Sequence, residues 1–182
     1  DFEDEQVSVG LMNDDEYLCI GLVVENRNAR AQILAGGFTV WLDPTGKKEK
    51  AQSIGIRYPT GVAGPERARF VRAMLDGGDV KELVETFAVI GDTLEIMEQG
   101  PSSARRVPRG SGAVEIAARA EKNMLFYELR VPLRGSGLSD SDGEFTLDLE
   151  PGKTLAVGFE TSAGALRPSS RPGPESRGGG GR

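Results

Sequence analysis

The sequence predicts an all-β protein, an antiparallel β-sandwich with one short helix and a disordered C-terminal tail. Short segments with an apolar residue at every second position recur along the chain, and turn residues separate them. One segment, residues 65–76, shows helical spacing instead. From residue 166 the chain is rich in Pro, Gly, Ser and Arg and has little to bury. We therefore expect a folded domain over 1–165 and a disordered tail over 166–182.

The first strands are predicted as a hairpin, because "VSVGLM" and "EYLCIGLVVEN" flank the polar turn "NDDE" at residues 13–16. In "FTVWLDPTGKK", Phe38, Val40 and Leu42 share one face, and Thr39, Trp41 and Asp43 share the other. The sequence Asp-Pro-Thr-Gly at 43–46 has the residues that a type I turn favours. This strand is therefore expected to end at Asp43.

Further strands are predicted where apolar residues alternate or run continuously: "SIGIRYP", "ELVETFAVI", "TLEIM", "AVEIAARA", "NMLFYELRVPL", "EFTLDLE" and "KTLAVGFET". Residues 98–112 are interpreted as a long exposed loop that carries Arg105, Arg106 and Arg109. The helix over 65–76 has Pro65 and Glu66 in its first turn and Gly77 as its stop.

The composition excludes several classes of function. The 28 acidic residues outnumber the 22 basic ones, so we expect no nucleic-acid partner. The chain contains no histidine, which removes Ser/His and Cys/His dyads, histidine-zinc sites and histidine-ligated haem. The one cysteine, Cys19, lies in an apolar run and is interpreted as a small buried residue. We therefore expect a protein that is not an enzyme.

The N-terminal residues and the length of the apolar runs indicate where in or outside the cell the protein is found. No apolar run is long enough to span a membrane, and the chain begins with the acidic residues "DFEDEQ" rather than with methionine. Either a leader has been removed or the chain has been trimmed at a chosen boundary. The first alternative predicts a secreted, periplasmic or cell-surface protein.

The order of these elements resembles a known group of β-sandwiches. "VGLMNDDEYLCIGLVVEN", "GFTVWLDPTGKK", "FYELRVPL" and "LAVGFE" are similar to strand and turn signatures of family 9 carbohydrate-binding modules and DOMON-like domains. The resemblance covers most of residues 5–162 and is closest to uncharacterised exported bacterial members. It implies the sandwich fold and suggests a bound sugar held by aromatic rings.

Trp41 is the first candidate ligand-binding residue, because a sugar ring stacks on a flat apolar surface with polar groups beside it. Thr39 and Asp43 share the face of Trp41, and Tyr58 is a second aromatic residue that a clamp could use. The alternative is that Trp41 fills the core, which is the commoner role of a lone tryptophan in a domain of this size.

An acidic cluster is the candidate metal site. Asp140, Asp142 and Glu144 alternate around a glycine in "LSDSDGEF", and calcium binds several hard oxygens at short range. Asn13 to Glu16 form a second such candidate. A polar turn is the alternative at both places.

Two functions from different classes follow. The first is a non-catalytic exported domain that binds carbohydrate or a cell-surface glycan through Trp41. The second is a structural or assembly subunit, a homo-oligomer or part of a larger assembly, that contacts protein through strand edges and the basic loop. An exposed aromatic shelf favours the first, and an unprotected edge strand favours the second.

Overall fold

A computed structural model describes residues 6–49, 52–98, 104–110, 114–121, 123–134 and 147–161. Within these ranges the chain forms two antiparallel sheets and three short helices. The strands are β1 Val7–Asn13, β2 Tyr17–Val24, β3 Phe38–Asp43, β4 Ile54–Arg57, β5 Thr93–Glu98, β6 Ala104–Pro108, β7 Glu115–Glu121, β8 Met124–Pro132 and β9 Ala156–Thr161; the helices are α1 Arg27–Gly36, α2 Glu66–Leu75 and α3 Val80–Thr86.

The strand order is β1-β2-β8-β7 in the four-stranded sheet and β6-β5-β4-β3-β9 in the five-stranded sheet. Every neighbouring pair is antiparallel. The predicted mostly β architecture is therefore confirmed. The described strands β1, β7, β6 and β9 lie at the edges of the two sheets.

One apolar core lies between the sheets. Alternation along β2 buries its even-numbered residues, and along β3 it directs Phe38, Val40 and Leu42 into the same core. The rings of Phe38 on β3 and Tyr127 on β8 meet edge to face with centroids 5.1 Å apart. The two sheets therefore contact each other through their apolar faces.

The helix predicted over 65–76 is confirmed as α2, but the expectation of a single helix is wrong. The first additional helix, α1, begins where the Asn26 side chain accepts a hydrogen bond from the Ala29 amide at 2.9 Å. Its apolar side then enters the core through Ala31 and Leu34. The sequence did not predict this helix, because few residues of "ENRNARAQ" are apolar and no helical periodicity of apolar residues is visible there.

The other additional helix, α3, replaces part of the strand predicted in "ELVETFAVI". Asp79 caps it, because its carboxylate accepts a hydrogen bond from the Glu82 amide at 2.9 Å. Val80 and Val84, four residues apart, are the buried positions. The strand prediction was wrong because the Asp79 cap and the four-residue spacing of Val80 and Val84 favour a helix over this apolar run.

Two further segments differ from expectation. The predicted loop over 98–112 contains strand β6, which pairs with β5. Residues 147–150 of the predicted strand "EFTLDLE" form no strand; instead the amides of Leu147 and Leu149 donate to the carbonyls of Pro132 and Leu133. Residues 144–146 of that segment and the tail over 166–182 lie outside the described residues.

The two predicted turns are present. The Asp14 side chain accepts hydrogen bonds from the amides of Glu16 and Tyr17, which closes the β1–β2 hairpin. The Gly46 amide donates to the Asp43 carbonyl at 3.1 Å, as the predicted type I turn requires.

Candidate functional site

Trp41 lies on the face of the five-stranded sheet that points away from the shared core. Its neighbours Val40 and Leu42 belong to the core cluster, whereas Trp41 and Met97 are buried outside that cluster. Strand alternation therefore places the indole where the sequence analysis expected a ligand platform. Only 8% of Trp41 is exposed, however, so the ring is not an open shelf.

Glycine on the neighbouring strands explains this burial. Trp41 pairs with Gly55 on β4 and with Gly158 on β9, so no side chain separates the indole from either strand. A Cβ at position 55 would lie 2.7 Å from the Trp41 Cζ3 atom and 2.9 Å from the Met97 Cε atom. The indole therefore lies across β4 against Met97.

The indole nitrogen of Trp41 is also hydrogen-bonded. Trp41 Nε1 donates a hydrogen bond to Glu160 Oε2 at 2.6 Å. Glu160 is on β9 and pairs with Thr39, so the carboxylate reaches from the adjacent row of the same sheet face. This bond satisfies a donor that burial would otherwise leave without a partner.

A cavity of about 300 Å³ opens beside the indole. Trp41, Asp43, Lys48 and Ser53 line it, together with residues 156–160 of β9. This cavity therefore brings two of the predicted ligand residues, Trp41 and Asp43, to one place. Sequence reasoning missed the other polar lining residues, Lys48, Ser53 and Glu160; Glu160 is 119 positions from Trp41 along the chain.

The Asp43 carboxylate is held by its own turn. It accepts hydrogen bonds from the Thr45 amide and hydroxyl at 2.8 and 2.7 Å and from the Glu49 amide at 3.0 Å. Burial alone would raise the pKa of Asp43, but these hydrogen bonds outweigh burial and hold the pKa below its usual value. Asp43 thus stabilises the turn that forms one wall of the cavity.

Thr39 and Tyr58 do not line this cavity. Thr39 is on the same sheet face as Trp41 and is 8% exposed. Tyr58 is fully buried in the core; its hydroxyl donates to the Gly91 carbonyl at 3.0 Å and accepts from Arg109 at 3.2 Å. The structure therefore does not bring Tyr58 to Trp41 as the second ring of a clamp.

Of the two acidic segments predicted as metal sites, the structure describes only the second. Asp140, Asp142 and Glu144 lie outside the described residues. The second acidic segment forms the β1–β2 turn, where Asp14 binds backbone amides. Across the part of the chain that the structure describes, no three side chains of His, Cys, Asp or Glu are grouped to hold a metal ion.

The arginines of the predicted basic loop are paired. Arg106 contacts Glu95 at 3.2 Å, and Arg105 lies 3.9 Å from Glu98 across the β5–β6 pair. Arg109 donates to the Tyr58 hydroxyl. These three arginines therefore link β6, and the turn that follows it, to the rest of the five-stranded sheet.

The outer edge of β1 is not paired with any other described strand. β1 is seven residues long, and none of its residues is buried. Val9 and Leu11 are 39% and 55% exposed although they point to the core side of the sheet, and Met12 on the other face is 70% exposed. Across an apolar cavity of about 480 Å³, β1 faces Phe159 on β9, which is 38% exposed.

None of the described helices is long and apolar enough to cross a membrane. Comparisons of the chain with protein-family models, with curated proteins and with solved structures find no match.

Proposed function

We propose that this chain is a non-catalytic β-sandwich domain of an exported protein and that it assembles with a second copy of itself through strand β1. The sandwich arrangement is supported by the two antiparallel sheets that share one core. The assembly is supported by one observation: no second described strand pairs with the outer edge of β1, and β1 itself carries neither charge nor proline. Export follows from the resemblance to carbohydrate-binding modules and DOMON-like domains and is part of the proposal.

The edge of β1 lacks the features that prevent strands from pairing between molecules. Edge strands are usually protected by charged residues, proline or bulges. The described edges β6, β7 and β9 each contain charged residues, whereas the sequence of β1, VSVGLMN, contains neither charge nor proline. Nothing in β1 therefore repels a second uncharged strand.

The backbone of β1 offers a regular set of hydrogen-bonding groups. The Glu25 amide donates to the Gln6 carbonyl and the Asp14 amide donates to the Tyr17 carbonyl, so even-numbered residues of β1 point their amides and carbonyls to β2. In an antiparallel strand the alternate residues point the other way. The amides and carbonyls of Val7, Val9 and Leu11 therefore face outward from the sheet edge.

A two-fold axis through Gly10 matches these groups to those of an identical strand. In that register Val9 lies opposite Leu11 of the second copy, and both residues carry the outward-facing groups that an antiparallel hydrogen-bonded pair requires. Gly10 lies on the axis and faces Gly10 of the second copy. The apolar side chains of Val9 and Leu11 would cover each other on the core side.

Sedimentation or light scattering of the full chain tests this proposal. We expect the mass to rise with concentration from 19.4 kDa towards twice that value. Leu11→Lys places a charge in the paired strands and should leave the chain monomeric. Leu75→Lys is the matched control, because Leu75 is similarly exposed, at 46%, but lies on α2. A wild-type chain that stays monomeric at every concentration, or a Leu75→Lys chain as impaired as Leu11→Lys, would overturn the proposal.

Glycan binding at the Trp41 cavity is the second candidate function. It is favoured by the cavity itself, which places an indole edge beside Lys48 and Glu160. A sugar would contact the indole and exchange hydrogen bonds with these two side chains. Because Trp41 is 8% exposed, this contact involves the edge of the ring rather than an open face.

Fluorescence of Trp41, the only tryptophan, tests the second candidate. We expect blue-shifted emission and weak acrylamide quenching in the free protein, and a change in emission when a glycan binds. Calcium titration followed by the thermal unfolding midpoint of the full chain tests the metal site predicted at Asp140, Asp142 and Glu144. Lys48→Ala should weaken a genuine glycan response, whereas a response that Lys48→Ala leaves unchanged would assign the glycan to another surface.

A further inference from the structure

A polar cleft of about 460 Å³ lies where the start of α1 meets the end of α2. Arg27 and Arg30 of α1 line it, with Met74, Gly77 and Gly78 at the end of α2 and Gln6 at the start of β1. The cleft is separate from the Trp41 cavity and from the apolar groove beside β1, since it shares no lining residue with either.

Arg30 is the most unusual group in this cleft. Only 6% of the residue is exposed, and its Nε atom has no hydrogen-bond partner among the described residues. Its Nη1 atom donates to the Glu25 carbonyl at 2.8 Å. Burial lowers the pKa of Arg30, and the positive charge of Arg27 lowers it further. A buried guanidinium with an unused donor is costly unless a negative group compensates it.

Arg27 adds a second cation that is fixed in place. Its Nε atom donates to the Met74 carbonyl at 2.8 Å, and its Nη2 atom donates to the carbonyls of Met74 and Leu75. These bonds cap the C-terminal end of α2. They use carbonyl oxygens and leave the positive charge without a carboxylate counterpart.

No carboxylate of the described residues neutralises this pair. Glu25 lines the cleft, but it forms no ion pair with Arg27 or Arg30 within the ranges that the structure describes. The N-terminal end of α1 adds the positive end of its helix dipole to the same region, while the negative end of the α2 dipole lies at the carbonyls that Arg27 binds. The cleft therefore combines a buried cation, a fixed cation and a helix start.

We propose that this cleft binds an oxyanion, a carboxylate or phosphate group, which accepts hydrogen bonds from Arg30 and compensates the charge of Arg27 and Arg30. A planar or tetrahedral oxyanion matches the donors of a guanidinium better than a halide does. Two sources carry the same chemistry. One is a free anion, and the other is an acidic side chain of residues 1–5, "DFEDE", which are joined to Gln6 at the cleft.

Thermal unfolding of the full chain tests the site with inorganic phosphate and with succinate, each added at constant ionic strength with sodium chloride. An anion that binds only the folded chain raises the unfolding midpoint by about 3 to 6 °C at ten times its Kd. Arg30→Met keeps much of the side-chain volume but removes the charge, so it should abolish this rise. Arg72→Met is the control. Arg72 is exposed on α2, lies 3.7 Å from Asp76 and does not line the cleft. The midpoint of the Arg72→Met variant should therefore rise with the anion as it does for the wild type.

A combined variant, Glu3→Gln with Asp4→Asn and Glu5→Gln, separates the two sources. If the anion is free, the wild type responds and this variant responds equally. If residues 1–5 supply the carboxylate, the wild type does not respond, and the variant has a lower midpoint that phosphate or succinate restores. Should Arg30→Met fail to fold, Arg30→Lys keeps the charge without the guanidinium geometry and should weaken the response several-fold. A response that persists in these Arg30 variants, or that neither the wild type nor the combined variant shows, would overturn the proposal.

Discussion

Strands β3 and β1 have similar sequence patterns and opposite surroundings. Every residue of β3 is buried, whereas no residue of β1 is. β3 lies between β4 and β9 and is covered on both faces. Among the described strands β1 pairs only with β2, and its core side lines the same cavity as Phe159 of β9. Alternation of apolar residues therefore identifies the face on which a side chain lies, but the neighbouring strands decide whether that face is covered.

The largest expected difference concerns the most prominent side chain of each strand. Trp41→Ala removes a nearly buried indole and its hydrogen bond to Glu160, so it should lower the free energy of unfolding by about 3 to 5 kcal/mol. Leu11→Ala removes an exposed side chain and should cost about 0.5 kcal/mol or less in the monomer. Urea denaturation at low protein concentration measures both values.

Equal losses in these two variants would show that something covers Leu11 even in the monomer. Trp41→Phe is the control for the first variant, since it keeps an aromatic ring and removes the indole N–H. A loss for Trp41→Phe well below that for Trp41→Ala would assign most of the effect to packing against Gly55 and Met97.

Glycine substitutions compare the two strands at smaller scale. Gly55→Ala introduces a Cβ that would lie 2.7 Å from the Trp41 ring, so it should destabilise the fold by about 1 to 3 kcal/mol. Gly10→Ala meets nothing within 4 Å and should instead stabilise β1 by up to about 1 kcal/mol. Thermal unfolding of the two variants gives the sign directly, and a stabilising Gly55→Ala would contradict the packing of the indole over β4.

The same comparison shows what the sequence could predict. Alternation placed Trp41 and Asp43 on one face of β3 and Val40 on the other, and the turn residues located the end of the strand. The contacts that bury Trp41 could not be predicted, because they depend on Gly55 and Gly158, which approach only once β4 and β9 pair with β3. The exposure of β1 depends likewise on its place at the edge of the sheet, where β2 is its one neighbour among the described strands.

The missed helices have a local cause. Asn26 and Asp79 each precede a short helix and accept a hydrogen bond from the amide three residues ahead, a signal that the sequence carries. The buried charge of Arg30 has no such signal, since "NRNAR" is typical of an exposed segment. The cleft around Arg30 appears only when α2 packs its end against α1.

A pH-dependent effect separates the two aspartates at the strand ends. Hydrogen bonds hold the pKa of Asp43 below its usual value despite burial, and backbone hydrogen bonds from Tyr17 and Glu16 do the same for Asp14. A folded-state pKa below the unfolded one adds stability above the unfolded pKa, and that stability is lost as the pH falls through the folded value. Wild-type stability should therefore decline below a pH of about 4, and each aspartate should account for part of that decline.

Asparagine variants measure the two contributions. At neutral pH, Asp43→Asn should cost about 1 to 3 kcal/mol, because its side-chain amide would meet the Glu49 amide as donor against donor. Asp14→Asn should cost less, since Asp14 lies in an exposed turn and one oxygen accepts both of its backbone bonds. The stability difference between wild type and Asp43→Asn should shrink as the pH falls from 5 to 2. A difference that stays constant over that range would mean that the charge of Asp43 does not stabilise the wall of the Trp41 cavity and that only the shape of its side chain does.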